Sequence, residues 1–292
     1  MENLIIIGSG PAGISAALYA ARAGLSPLVL TQGVGALDKA ERIENYYGAP
    51  PATGADLHAQ GEEQAKALGA RIVYTQVLGV SGFDTYTVRT ADGTYEAIAV
   101  LLATGAKRAA PPVPGLKALE GRGVSYCAVC DAFFYRGRPV AVLGSGDFAL
   151  HEAGELAPMA ASVTMLTNGA AETFSGQNPF PVERRKIAAL EGEEALTGVR
   201  FEDGGVLAVD GVFVAVGTAG SIEMARQIGA ELNDAGRIAV DTGMQTSLPG
   251  LFAAGDCTGG MLQVAKAVYE GAQAGASAIQ YIRAYKKNHV QA

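Results

Sequence analysis

The residues best suited to chemistry in this chain are two cysteines in close spacing, followed at once by an acid: Cys127-Ala128-Val129-Cys130-Asp131. A Cys-x-x-Cys pair closes a small disulfide ring, and its thiolate form is the nucleophile. Asp131 places beside it a group able to move a proton during thiol–disulfide exchange. Two buried structural cysteines are the plain alternative. Zinc is another, but it takes about four ligands. The remaining candidates are Cys257 and the three histidines His58, His151 and His289, which show no ligand spacing. The pair therefore reads as redox-active, with no metal. Cys257, next to Asp256, reads as a small buried residue rather than a third redox partner.

The elements that must position this pair are two glycine loops, one on either side. Gly8-Ser9-Gly10-Pro11-Ala12-Gly13 follows an apolar strand at residues 4–7 and opens a helix at residues 14–23. A strand before and a helix after are the context in which such glycines allow a tight turn, backbone approach to a pyrophosphate and close helix packing. A second βαβ start runs from a strand at 139–143 through Gly144-Ser145-Gly146-Asp147-Phe148-Ala149 and a helix to about residue 156, then to a strand at 163–166. Further apolar strands are expected at 27–30, 97–102, 211–216 and 250–254, and a long helix at 263–281. Thr246-x-x-Pro249-Gly250-Leu251-Phe252-Ala253-Ala254-Gly255-Asp256 is a second nucleotide-type element that strengthens the first loop. After the 27–30 strand stands Thr31-Gln32, not the acid that often holds a ribose, so NAD is not demanded there. The proline-rich stretch 111–114 marks a crossing between domains.

Length and composition bound the rest. The chain has 292 residues, 39 of them glycine, and no tryptophan, enough for one large domain or two ordinary ones. The formal charge of −7 argues against a nucleic-acid binder. Three cysteines exclude a disulfide scaffold. No basic, apolar leader is visible at Met1-Glu2-Asn3, and the apolar runs are too short or glycine-broken to span a membrane. A cytoplasmic location is expected.

With these residues in view, the whole chain resembles the low-molecular-weight thioredoxin reductase family. The matching residues are the first glycine loop, Ile43-Glu44-Asn45-Tyr46-Tyr47-Gly48, Ala103-Thr104-Gly105, Cys127 to Asp131 and Gly255-Asp256. The resemblance implies an α/β fold of two nucleotide-binding-like (three-layer ββα) domains, the disulfide domain inserted into the FAD domain. The expected limits are 1–111 and 245–292 for FAD and 112–244 for the disulfide domain. It implies a homodimer that reduces thioredoxin. Cys130 would face the flavin, Cys127 would attack the substrate disulfide, and Asp131 would be the acid–base residue. The implied FAD contacts are Gly8, Ser9, Gly10, Pro11, Ala12, Gly13, Thr31, Asn45, Thr104, Gly105, Gly255, Asp256 and Gln263. Asn45 and Gln263 would lie near the isoalloxazine, and Asp256 on the ribityl or pyrophosphate region.

The departures lie in the second domain. Family members that use NADPH carry a small residue where this chain has Phe148, and a His-Arg-Arg run where it has Thr167-Asn168-Gly169. Without arginines a 2′-phosphate has no charge-assisted partner, and Phe148 is expected to obstruct the pyrophosphate position. Residues 170–200 also look contracted. These features, with Cys127 to Gly137 and Ala149-Leu150-His151-Glu152, resemble the ferredoxin-dependent flavin thioredoxin reductases. That resemblance implies reduced ferredoxin as donor. A basic dock is then expected, drawn from Lys107, Arg108, Arg136, Arg138 and Arg184-Arg185-Lys186. The alternatives are an NAD(P)H-dependent thioredoxin reductase with atypical contacts, for which Arg184 and Arg185 on a helix face are the available charges, and an oxygen-using dithiol oxidase.

Overall fold

The computed structural model describes residues 1–33, 35–105, 111–126, 128–217 and 220–289, and only the backbone of Val129 and Cys130. The chain divides into two units. One holds the described residues up to 105 and those from 220 onward, and the other holds the residues between.

The first unit opens as a dinucleotide fold. Strand β1 (Glu2–Ile7) leads through the glycine loop into α1 (Pro11–Arg22), followed by β2 (Leu28–Thr31). Pro11 begins α1, where its missing N–H costs nothing. Helix α2 (Gly54–Ala67) is capped by the Thr53 hydroxyl, which accepts from the Asp56 amide at 3.1 Å, worth about 1 kcal/mol. Then come β3 (Arg71–Tyr74), β4 (Val77–Gly82), β5 (Tyr86–Thr90) and β6 (Gly93–Leu102). β3, β2, β1 and β6 are parallel neighbours, while β4, β5 and β6 form an antiparallel meander. The inner parallel strands β1, β2 and the C-terminal half of β6 are apolar and buried because both faces are covered, whereas the edge strand β3 is not.

The second unit contains β7 (Val124–Ser125), α3 (Ala128–Asp131), β8 (Pro139–Leu143), α4 (Asp147–Leu156) and β9 (Ser162–Leu166). It continues with β10 (Val182–Glu183), β11 (Ile187–Glu191), β12 (Gly198–Phe201), β13 (Val206–Leu207) and β14 (Gly211–Val214). A parallel sheet runs β10-β9-β8-β14-β7, and β11 to β13 form a small antiparallel sheet. Each unit is thus the α/β nucleotide-binding type expected, and each has its own apolar core.

The described residues from Gly220 onward group with the first unit. Helix α5 (Ser221–Gln227) is the reason. Its first residue exchanges hydrogen bonds with Thr104: Thr104 N donates to Ser221 Oγ at 2.9 Å, and Ser221 N donates to Thr104 Oγ1 at 2.8 Å. No local pattern announces a contact across such a sequence distance. Strand β15 (Leu251–Ala253) then pairs in parallel with the C-terminal half of β6, whose N-terminal half pairs with β5. Helix α6 (Val264–His289) extends eight residues beyond the expected end at 281 and packs on α1. That approach is close: a Cβ on Gly271 would lie 2.0 Å from the Ala12 carbonyl oxygen. Among the described residues no helix is long and apolar enough to cross a membrane.

Candidate functional site

Because β1, β2, β6 and β15 run parallel, the segments after their last residues emerge at one edge of the sheet. Those segments are the glycine loop, Thr31-Gln32, Ala103-Thr104-Gly105 and Ala254-Gly255-Asp256. This is the crevice beyond the carboxyl ends of the strands where such folds bind ligands. The loops touch. Ala103 N donates to Ile7 O at 2.8 Å and Ala254 N to Leu102 O at 3.1 Å. Gly8 has φ +110, and a Cβ there would meet the Ala103 carbonyl oxygen at 2.5 Å.

The three glycines of the first loop do different work. Gly13 is closed in, since a Cβ would lie 1.9 Å from the Gly8 carbonyl oxygen, whereas a Cβ on Gly10 would meet nothing within 4 Å. Gly10 is also the N-cap of α1, with no side-chain cap and no acidic residue in the first turn. An open cradle in front of uncapped N–H groups fits the pyrophosphate of a dinucleotide cofactor such as FAD. Two further expected contacts, far apart in sequence, are joined: Asn45 Nδ2 donates to Gln263 Oε1 at 3.1 Å. Gly255 and Asp256 sit beside the loop, a Cβ on Gly255 coming 3.1 Å from that of Ala12.

The Gly255 turn is pinned by a pair that the sequence analysis missed. Glu270 Oε2 accepts from Gly255 N at 2.8 Å and from Thr258 Oγ1 at 2.9 Å. Lys266 Nζ lies 2.9 Å from the same oxygen and donates to Gly255 O at 2.8 Å. Their i, i+4 spacing on a helix was the available signal. Ser9 and Thr31 are not open to a ligand through their side chains. Both are buried, and their hydroxyls lie 2.9 Å apart. Gln32, the next residue, is exposed. Cys257 is fully buried, with its thiol directed at the carbonyls of Ala254 and Leu102, and burial pushes its pKa up to about 12.

In the second unit β7, β8, β9 and β14 are likewise parallel, so the segment leading to the dithiol and the second glycine loop leave the same sheet edge. Cys127 lies outside the described residues, as does the Cys130 side chain. Asp131 is held by Ser125, whose hydroxyl donates to Asp131 Oδ2 at 2.6 Å. Ala128 N donates to the buried Glu152 carboxylate at 2.7 Å, tying α3 to α4.

The second glycine loop is filled by the chain itself. Thr173 N donates to Ser145 O at 2.7 Å, Thr173 forms an isolated parallel bridge with Gly146, and a Cβ on Gly146 would meet Thr173 Oγ1 at 3.0 Å. Ser175 N donates to Asp147 Oδ1 at 2.8 Å, so an acid sits in the first turn of α4 where a phosphate would otherwise find the helix N-terminus. Residues 173–175 therefore lie against the second glycine loop. Phe148, expected to block the loop, is instead fully buried, because it lies on the core side of α4.

Arg184 and Arg185 lie in the bend between β10 and β11, not on a helix face. Arg184 pairs with Glu172 at 2.6 Å, and Arg185 with Glu183 at 2.6 Å and Asp203 at 3.3 Å, stacking 4.1 Å over Phe201. Their charges are already matched. Of the other expected dock residues, Lys107 and Arg108 lie outside the described residues, and Arg136 sits 5.7 Å over the exposed Phe133 ring.

The chain matches the Pyridine nucleotide-disulphide oxidoreductase family over residues 2–175 and 182–271. It is 41% identical over 280 residues to the thioredoxin reductase of Mycolicibacterium smegmatis, covering 88% of each chain. Among solved structures it resembles the atypical thioredoxin reductase TRi from Desulfovibrio vulgaris Hildenborough, with TM-score 0.91, 41% identity and coverage of 97% and 98%. It also resembles a Ferredoxin-Flavin Thioredoxin Reductase from Clostridium acetobutylicum, with TM-score 0.69, 29% identity and the same coverage. Two dinucleotide folds, an open glycine cradle and matches over almost the full length lead to one conclusion: the chain belongs to the low-molecular-weight thioredoxin reductases, which are FAD flavoproteins.

Proposed function

We propose that this protein reduces the disulfide of thioredoxin through Cys127 and Cys130, and that its electrons come from reduced ferredoxin rather than from NADPH. The observation that carries the donor assignment is the self-filled second glycine loop, where Thr173 packs on Gly146 and Asp147 binds Ser175. A nicotinamide dinucleotide would have to displace this segment, and would then meet an acid. The paired state of Arg184 and Arg185 removes the remaining candidates for a 2′-phosphate. The likeness to a ferredoxin-flavin enzyme supports the same reading.

In the first unit the glycine loop, Asn45, Thr104, Gly105, Asp256 and Gln263 hold the cofactor, and the Lys266–Glu270 pair keeps the Gly255-Asp256 turn in place. Bound FAD accepts electrons singly and delivers them as a pair, which joins a one-electron donor to disulfide chemistry. Two electrons, from two reduced ferredoxins, and two protons would open the Cys127–Cys130 disulfide to a dithiol, Cys130 being the sulfur that the family resemblance assigns to the flavin. The Cys127 thiolate then attacks the thioredoxin disulfide, forming a mixed disulfide and expelling one thiolate. Asp131, oriented by Ser125, supplies the proton to that leaving group. Cys130 attacks Cys127, restoring the pair and releasing the second thiol of thioredoxin. The working unit is a homodimer, as the family resemblance implies.

An anaerobic titration tests this. The oxidised flavoprotein is mixed with NADPH or NADH while flavin absorbance is followed, and then with reduced ferredoxin and thioredoxin. Unchanged absorbance with both nicotinamides, followed by ferredoxin-driven thioredoxin reduction, is the expected result. Prompt bleaching by either nicotinamide overturns the donor assignment.

A further inference from the structure

Behind the first glycine loop lies a hydrogen-bonded chain running from the Gly33 amide to the Gly35 amide. Gly33 N donates to Thr31 Oγ1 at 3.0 Å, and the Thr31 and Ser9 hydroxyls are 2.9 Å apart. Ser9 Oγ lies 2.9 Å from His58 Nε2, and His58 Nδ1 lies 2.8 Å from Asp38 Oδ1. Asp38 Oδ2 accepts from Gly35 N at 2.6 Å. The side chains of His58 and Asp38 are 10% and 14% exposed, and Ser9 and Thr31 are 2% and 6% exposed. Burial opposes ionisation of Asp38, but the Gly35 amide and His58 outweigh it and hold the carboxyl below its usual range. Glu62, one turn beyond His58 on α2, stands 3.3 Å from Nε2, accepts from the Tyr74 hydroxyl and lies 3.9 Å from Lys66.

We propose that His58 is a positioning residue for FAD: braced by Asp38, it holds Ser9, and through Ser9 it sets the backbone of the glycine loop that receives the cofactor's pyrophosphate. The physical argument has three parts. Pyrophosphate binding in such a loop depends on backbone N–H groups aimed at one point, so affinity follows loop geometry. Ser9 is the residue between the first two glycines, so a side-chain anchor there acts directly on the loop backbone. Its hydroxyl is buried away from any ligand, so it acts by anchoring. The chain also joins that loop to the turn after β2, where Gln32 stands in place of the acid that often holds a ribose. Three segments separated by 49 residues at most (Ser9 to His58) are thus joined by one hydrogen-bonded chain beside the glycine loop.

The test is FAD affinity of the reconstituted apoprotein, read by flavin fluorescence, in His58→Leu, Ser9→Ala, the double variant and His58→Gln. It is independent of the donor and of turnover. Each of the first two should weaken FAD by about tenfold or more, since a buried polar group loses its partner. The double should be no weaker than the weaker single, because His58 acts through Ser9. His58→Gln, with one donor and one acceptor, should recover most of the affinity. A His58→Leu affinity within about twofold of the parent, or strictly additive losses, overturns the proposal. So does a fall in apoprotein Tm with unchanged affinity, which marks a purely structural role. If His58→Leu does not fold, Ser9→Ala decides alone, and unchanged FAD affinity there is refuting.

Discussion

Two alanine substitutions in one motif should have opposite consequences, and the difference can be worked from the structure. At Gly13 the new Cβ would lie 1.9 Å from the Gly8 carbonyl oxygen, 1.5 Å short of the 3.4 Å at which ordinary contact begins. Both groups are backbone in a buried turn, so the loop and α1 must part. Overpacking of this kind costs about 3 kcal/mol, roughly 6–12 °C in Tm for a unit of this size. At Gly10 the backbone is extended, with φ −64° and ψ 177°, and the Cβ meets nothing within 4 Å. Gly10→Ala should leave the apoprotein as stable as the parent, or more stable by about 0.4–1 kcal/mol through the unfolded chain. Its cost should appear in the cofactor. A methyl group in the cradle displaces the pyrophosphate and forfeits at least one charge-assisted hydrogen bond, about 1.5–3 kcal/mol, or roughly 10- to 150-fold in Kd. Calorimetry of both apoproteins and fluorescence titration with FAD separate the two effects. A Gly10→Ala protein that binds FAD like the parent would refute the assignment of the open cradle to the pyrophosphate.

Other expectations follow from the same geometry. NADPH or NADH at millimolar concentration should leave Tm unchanged, whereas a ligand at a hundred times its Kd would add about 2.7 kcal/mol; a clear rise in a thermal melt counts against the self-filled loop. Lys266→Met leaves the Glu270 carboxylate buried without its cation and should cost about 3 kcal/mol in urea unfolding, with Glu270→Gln milder because the Gly255 amide keeps an acceptor. The Cys257 thiol titrates near 9 when unfolded and at about 12 when folded. Above pH 9 the unfolded state therefore binds fewer protons than the folded state. The Cys257 contribution is full below pH 9 and is lost between 9 and 12, so Cys257→Ala should flatten the alkaline fall in stability relative to the parent. Equal pH profiles for the two proteins would show that the thiol is not buried in solution.

What was legible in the sequence is what depends on local periodicity and turn chemistry. Apolar runs of Ile, Leu and Val bounded by glycine predicted β1, β6, β8 and β15 to within a few residues, since a strand covered on both faces can be built from little else. The two glycine loops and Gly255-Asp256 were visible because tight turns and backbone approach leave few residues a choice. Other features were not legible. The bond between Thr104 and Ser221, the burial of Phe148 and the pairing of Arg185 with Asp203 follow from how separate segments pack, which residue spacing does not encode.

The sequence by itself determined the family, the α/β class and the cofactor, and singled out the Cys-x-x-Cys pair proposed for the chemistry, because each is encoded by residue types at short spacing. The tertiary structure alone decided what the loops face. Two similar glycine motifs became one open cradle and one closed by Thr173 and Ser175. A serine, a histidine and an aspartate without pattern became a single hydrogen-bonded chain. Short motifs specify backbone shape, but occupancy of the space in front of that shape is set by whichever distant segment packs there, and sequence spacing carries no record of it.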